Sequence, residues 1–156
     1  MRVAGILEAV ILKIIIALAV PAVLVCVYFF YQGNASAALP PPSLPSGDLA
    51  VCGAKPNCVS SVQDPSDDHY IAPIDSTAAD AAGRVVMAIE SSGGKVTAND
   101  GRIIQATFTS GIFRFVDDVQ VRIDDGRLQV RSSSRVGHSD LGANRKRIEQ
   151  LRKSLS

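Results

Sequence analysis

Between Phe113 and Ile123 the chain alternates apolar and polar residues cleanly enough to specify a strand, and the alternation places Asp117 in the apolar row with Phe113, Phe115, Val119, Val121 and Ile123. A lone carboxylate in that row is costly to bury, so it requires a cation or hydrogen-bond donors. Arg114, Arg131, Arg135 and Arg145 are the natural candidates. The C-terminal third therefore reads as a small sheet built around an Asp–Arg network.

A second constraint lies at the other end. Ile14 to Tyr31 is uncharged and almost wholly apolar. Eighteen helical residues span about 27 Å, close to the ~30 Å of a bilayer's hydrocarbon core. Tyr28, Phe29, Phe30 and Tyr31 suit a membrane interface. Residues 1–31 are therefore expected to be a cytoplasmic N-terminus and a transmembrane anchor that contacts the lipid bilayer through residues 14–31. Cleavage as a signal peptide is the competing reading, because Ala35-Ser36-Ala37 offers a small-x-small site, although the apolar run is long for that purpose. Arg2 and Lys13 precede the segment and the next cation is Lys55, which places the amino terminus inside and the domain on the far side.

Arg2, Lys13 and Glu8 are the only charges before residue 32, which leaves 14 basic and 14 acidic residues in the remainder. That balance argues against a nucleic-acid-binding surface. Ten of the 14 cations are arginine, the residue suited to planar pairing with carboxylate or phosphate. Cys52 and Cys58 bracket a short turn-rich loop in the exported part, and a disulfide is expected there. A metal site would need further Cys or His, of which only His69 is near; free thiols are the remaining reading. No pattern points to a cofactor.

Residues 32–47 are rich in Pro, Ser, Ala and Gly and read as an extended linker. Residues 48–156 then form the domain. Thr77-Ala-Ala-Asp80 matches a capping box and opens a helix that Gly93-Gly94 ends. Strands are expected near 95–98, 102–109, 112–124 and 127–135, with Asp124-Asp125-Gly126 as a hairpin turn. A last helix follows Ser139-Asp140, with Leu141, Ile148, Leu151 and Leu155 at helical spacing. The expected class is α+β: a small antiparallel sheet of three to four strands packed with two helices, preceded by an N-terminal transmembrane helix.

On the strand after the hairpin turn, Leu128, Val130, Ser132, Ser134 and Val136 share one face and Arg131, Ser133 and Arg135 the other. Polar groups thus gather toward the open end of the hairpin. The candidate cluster is Arg114, Asp117, Asp118, Arg131, Ser132, Ser134, Arg135, Asp140, Asn144 and Arg145. Such a cluster can be a site, or it can be a salt-bridge network that locks helices to a sheet. His138-Ser139-Asp140 holds the residue types of a hydrolytic triad, but consecutive residues cannot adopt triad geometry among themselves, and helix capping is the better reading. Asp64, Asp67, Asp68 and His69 read as a solvated acidic turn rather than a cation site. The five cations of the last helix read as a solvated face, with anionic headgroups as the alternative.

Several separate stretches, Pro56 to Ser61, Phe108-Thr109-Ser110, Phe113 to Val119, Arg131 to Gly137, Ser139 to Gly142 and Asn144-Arg145, together resemble the family catalogued as domain of unknown function 1499. The resemblance covers roughly residues 48–155. It implies an exported or membrane-associated protein of bacteria, here of the inner membrane with a periplasmic or extracellular domain, and assigns no catalytic role. The expectation is a non-catalytic envelope module that binds an anion or an envelope protein through its arginines. The alternative is an envelope hydrolase or transferase with Asp117 or Asp140 as acid/base.

Overall fold

The computed structural model describes residues 2–155. Helix α1 runs from Arg2 to Ala38 and is about 55 Å long. Its stretch Val10–Ala38 contains an 18-residue window with a mean hydropathy of 2.9 and is long and apolar enough to cross a membrane. The helix continues well past Tyr31, through a part of the segment expected to be an extended linker. Gln32 to Ala38 contains no proline, and the helix stops just ahead of Leu39-Pro40, where proline disfavours helical backbone at the preceding residue.

The domain holds β1 (Cys58–Ser60), β2 (Ile74–Asp75), α2 (Ala81–Ser91), β3 (Lys95–Asn99), β4 (Ile103–Thr109), β5 (Val116–Asp124), β6 (Arg127–Ser134) and α3 (Ala143–Leu155). The sheet is antiparallel in the order β1-β6-β5-β4-β3, and β2 also pairs with β6. It has six strands rather than three or four. The extra two are only three and two residues long, too short to carry a period, and they exist by pairing with opposite halves of β6. Between them the Ser61 side chain stands in for a ladder, accepting from the Val130 amide and donating to Gln129 Oε1.

Two boundaries also shift. Helix α2 starts at Ala81, because Asp80 is the cap: its carboxylate accepts from the Gly83 amide at 2.9 Å. Strand β5 starts at Val116, and residues 110–115 form a turn that leads the chain to α1 instead of pairing.

Helices α2 and α3 cover one face of the sheet. Val85 and Ile89 from α2 and Ile148, Leu151 and Leu155 from α3 close over Ile104, Ala106, Val119, Val121, Leu128 and Val130. Each fully buried aliphatic side chain contributes about 1.5–3 kcal/mol. Leu141 is not among them; it precedes α3 and is 96% exposed. Gly94 is required beneath this layer, since a Cβ there would collide with the Phe108 ring and Ile89.

The opposite face is covered by the chain itself. From the end of α1 the backbone follows β5 as a strap: Ser36 Oγ accepts from the Val116 amide, Pro42 O accepts from Gln120 Nε2, and Asp48 pairs with Arg122. Much of the segment expected to be an extended linker is thus packed on the sheet.

Candidate functional site

On the helix side, Asp117 does lie in the apolar row, opposite Phe108 and Ser134. Its partner is none of the four arginines expected. Arg147 of α3 donates from Nη2 to Asp117 Oδ2 at 2.7 Å, with its guanidinium 4.7 Å from the centre of the Phe108 ring. The same guanidinium donates from Nη1 to Asn144 Oδ1 and Ser132 Oγ. Asn144, one turn earlier on α3, is fully buried and uses every group: Oδ1 accepts from Ser132 Oγ at 2.5 Å and from Arg147, while Nδ2 donates to Asn57 O at 2.9 Å and Ser134 Oγ at 3.1 Å. Such a network fastens α3 to β5, β6 and β1.

On the strap side, Asp118 is held by the Arg135 fork, Nε to Oδ2 at 2.7 Å and Nη2 to Oδ1 at 2.8 Å. Arg135 also donates to Leu39 O of the strap at 2.6 Å, and the carboxylate's hydrogen bond raises its pKa. Arg131 lies on the same face and is 92% buried, from an exposure of 8%. It donates from Nη1 to Ser133 Oγ at 2.7 Å, yet its buried Nε has no partner among the described residues. Desolvation lowers its pKa, and the nearby Asp118 opposes that only in part. Gln120 Oε1, on the same face, is a second buried group without a partner.

Arg131 lines a groove of about 640 Å³ between the strap and the disulfide loop, bounded by Pro40, Pro42, Lys55, Asn57 and Ser133. The Cys52–Cys58 disulfide, with Cα atoms 5.7 Å apart, fixes the loop that carries Lys55. Arg131, Arg135 and Lys55 outnumber Asp118 there, and a small anion could meet a guanidinium, an ammonium and a hydroxyl.

The sheet therefore divides the expected cluster. Asp117, Ser132, Ser134 and Asn144 lie together on one side; Asp118, Arg131 and Arg135 lie together on the other. Arg145 belongs to neither and donates to the carbonyls of Asp68 and Tyr70 at 2.8 Å each. Arg114 is exposed in the turn before β5 with φ +60°. Asp140 accepts from the amides of Gly142 and Asn144 at the start of α3, and Ser139 accepts from that of Leu141.

In the acidic turn, Asp64 accepts from the Ser66 amide and hydroxyl. The His69 amide, Gln63 and the His69 ring hold Asp67 down to about 2, and that carboxylate in turn raises His69. Among the described residues no group of three or more His, Cys, Asp or Glu is placed to hold a metal ion.

The residue that reasoning from sequence missed is Arg147. It had been placed with the solvated cations of the last helix. A signal was present: it stands three residues after Asn144 and four before Leu151, inside the stripe that α3 buries.

A second pocket, of about 430 Å³, opens at the same end of the sheet on the helix side, where Phe29 of α1 faces Phe113 and Phe115; Asp117, Ser134 and His138 reach its wall.

Comparison with known proteins gives a family match. The profile of the family described as "Protein of unknown function (DUF1499)" covers residues 48–155, which is the domain without α1 and most of the strap. No curated protein and no solved structure matches the chain.

Proposed function

The chain belongs to the DUF1499 family of proteins of unknown function, and we propose that it is a membrane-anchored, non-catalytic binding module whose strap-side groove takes a small anion at Arg131. The observation that carries this reading is a guanidinium nine-tenths buried, with an unpartnered Nε and a carboxylate neighbour already committed to Arg135. Folding such a cation without its own counter-ion is unfavourable, and a phosphate, sulfate or carboxylate would offset that cost with charge-assisted hydrogen bonds. The carboxylate that lines the groove, Asp118, is held in the Arg135 fork.

Anchoring is through α1, with the amino terminus in the cytoplasm and the domain periplasmic or extracellular at a bacterial inner membrane. The positive charges before the apolar run and the Cys52–Cys58 disulfide support that orientation. An envelope protein presenting a carboxylate is an alternative source of the anion.

The experiment is thermal denaturation of the full-length protein in detergent with phosphate, sulfate, carboxylates or soluble anionic headgroups. An anion at 100 times its dissociation constant stabilises by about 2.7 kcal/mol. Wild type should shift upward and Arg131→Met should not. Absence of a shift with every anion, or an equal shift in the variant, would overturn the reading.

The alternative, an envelope hydrolase or transferase with Asp117 or Asp140 as acid/base, draws on the helix-side pocket that Asp117 and Asp140 both reach. It ranks second because Asp117 is ion-paired to Arg147 and Asp140 spends its oxygens on amides.

A further inference from the structure

The turn that leads into β5 is fastened to the apolar helix at a defined height. The Phe29 ring lies 5.4 Å from that of Phe113 and 6.3 Å from that of Phe115. One turn later, a Cβ on Gly33 would collide with the Phe113 carbonyl, so glycine permits the close approach of helix and turn. Ser36 Oγ then accepts from the Val116 amide. Phe29 belongs to the aromatic cluster Tyr28–Tyr31, which ends the strongly apolar run of α1 ahead of Gln32, Gly33 and Asn34.

A helix that crosses a bilayer sets such a cluster at the boundary between hydrocarbon and headgroups. Whatever packs beside Phe29 then shares that depth. Ile112, 79% exposed, precedes Phe113 in the same turn, and the pocket of about 430 Å³ that Phe29 lines is also lined by Leu141, 96% exposed. The buried α2–α3 layer recruits neither. Arg114, between Phe113 and Phe115, is exposed and able to reach a lipid phosphate.

We propose that the Gly111–Arg114 turn and Leu141 form a second membrane contact, inserted into the leaflet nearest the domain, so that the sheet stands on the bilayer by this end. This rests on the anchor reading of α1. The occupant is the bilayer: the apolar side chains enter the headgroup–acyl boundary by ~5–10 Å, as an interfacial helix does. The opposite end of the sheet, at the Asp125-Gly126 turn, lies about 30 Å off along the nine residues of β5 and in this arrangement stays outside the bilayer.

The chain contains no tryptophan, so single-tryptophan variants report depth directly. Full-length Ile112→Trp, Leu141→Trp and Asp125→Trp would be reconstituted into phosphatidylethanolamine/phosphatidylglycerol vesicles with brominated acyl chains. Residues 112 and 141 should lose about half or more of their emission, while residue 125 keeps its own, as expected for insertion of one end only. If the chain withstands alkaline carbonate extraction and neither 112 nor 141 is quenched, the contact is overturned and the anchor stands. Equal quenching at all three positions would also overturn it, because the sheet would then lie along the surface. Release by carbonate would overturn the anchor, and the depth argument with it. Circular dichroism of each variant establishes that folding is unchanged; all three substituted residues are exposed.

Discussion

On the helix side of the sheet, Asp117 meets Arg147 inside a network where Asn144, Ser132 and Ser134 each find partners. One strand position away, on the strap side, Asp118 meets Arg135 in a two-bond fork, yet Arg131 and Gln120 beside it are buried with a group left over among the described residues. The same residue types thus serve different ends. A complete network holds elements together, whereas an incomplete one retains capacity for something from outside. Exposure alone would not separate the two sides, because Asp117 and Arg131 are buried to nearly the same degree.

The contrast is sharpest when one arginine is removed from each side. Arg147→Met leaves the Asp117 carboxylate buried without a counter-charge and should destabilise the domain by about 3–5 kcal/mol, read as a lowered urea midpoint. Adding Asp117→Leu should return much of that loss, and failure to do so would mean that the pair is not what holds α3. Arg131→Met removes a desolvated cation that folding leaves incompletely paired. Its stability should be unchanged or higher by about 1 kcal/mol in anion-free buffer. A loss comparable to that of Arg147→Met would break the comparison, since both sides would then be structural.

The smallest effect concerns the turn beside the groove. His69 is raised by its Asp67 partner, so its contribution is full below the ordinary histidine value and fades as pH rises through the raised one. Asp67 is lowered to about 2, so its contribution holds above the ordinary carboxylate value and fades as pH falls toward that figure. Wild type should therefore exceed Asp67→Asn in melting temperature by a small margin, largest between about pH 4 and pH 6.5, and narrowing at higher pH. A margin independent of pH would remove the ionic part of this account.

Much of the domain could be read from residue order. Asp124-Asp125-Gly126 marks the hairpin, with Gly126 at φ +73°, and the alternation from Asp117 onward names the buried face correctly. The two cysteines do pair. The missing parts share one cause, which is that they depend on partners distant in the chain. Strands β1 and β2 are defined by β6. Arg147 looks like any helix-surface cation until Asp117 is set beneath it. The Pro-rich segment has the composition of a solvated spacer, and only the polar side of the sheet, which needs cover for Gln120 and Asp118, turns it into a strap. Strand alternation already separates Ser132 and Ser134 from Arg131 and Arg135; that Asn144 joins the serines while Arg145 turns to the carbonyls of Asp68 and Tyr70 depends on the docking of α3.

The short strands flanking β6 have a further consequence. Together with the Ser61 side chain they occupy that margin of the sheet from Arg127 to Ser133. The other margin, β3, is interrupted by a bulge between Val96 and Ala98 and begins at an exposed lysine, Lys95. Neither border offers a flat run of free amides and carbonyls on which another copy could template. Short and broken margins of this kind disfavour backbone pairing between copies along the edges of the described sheet.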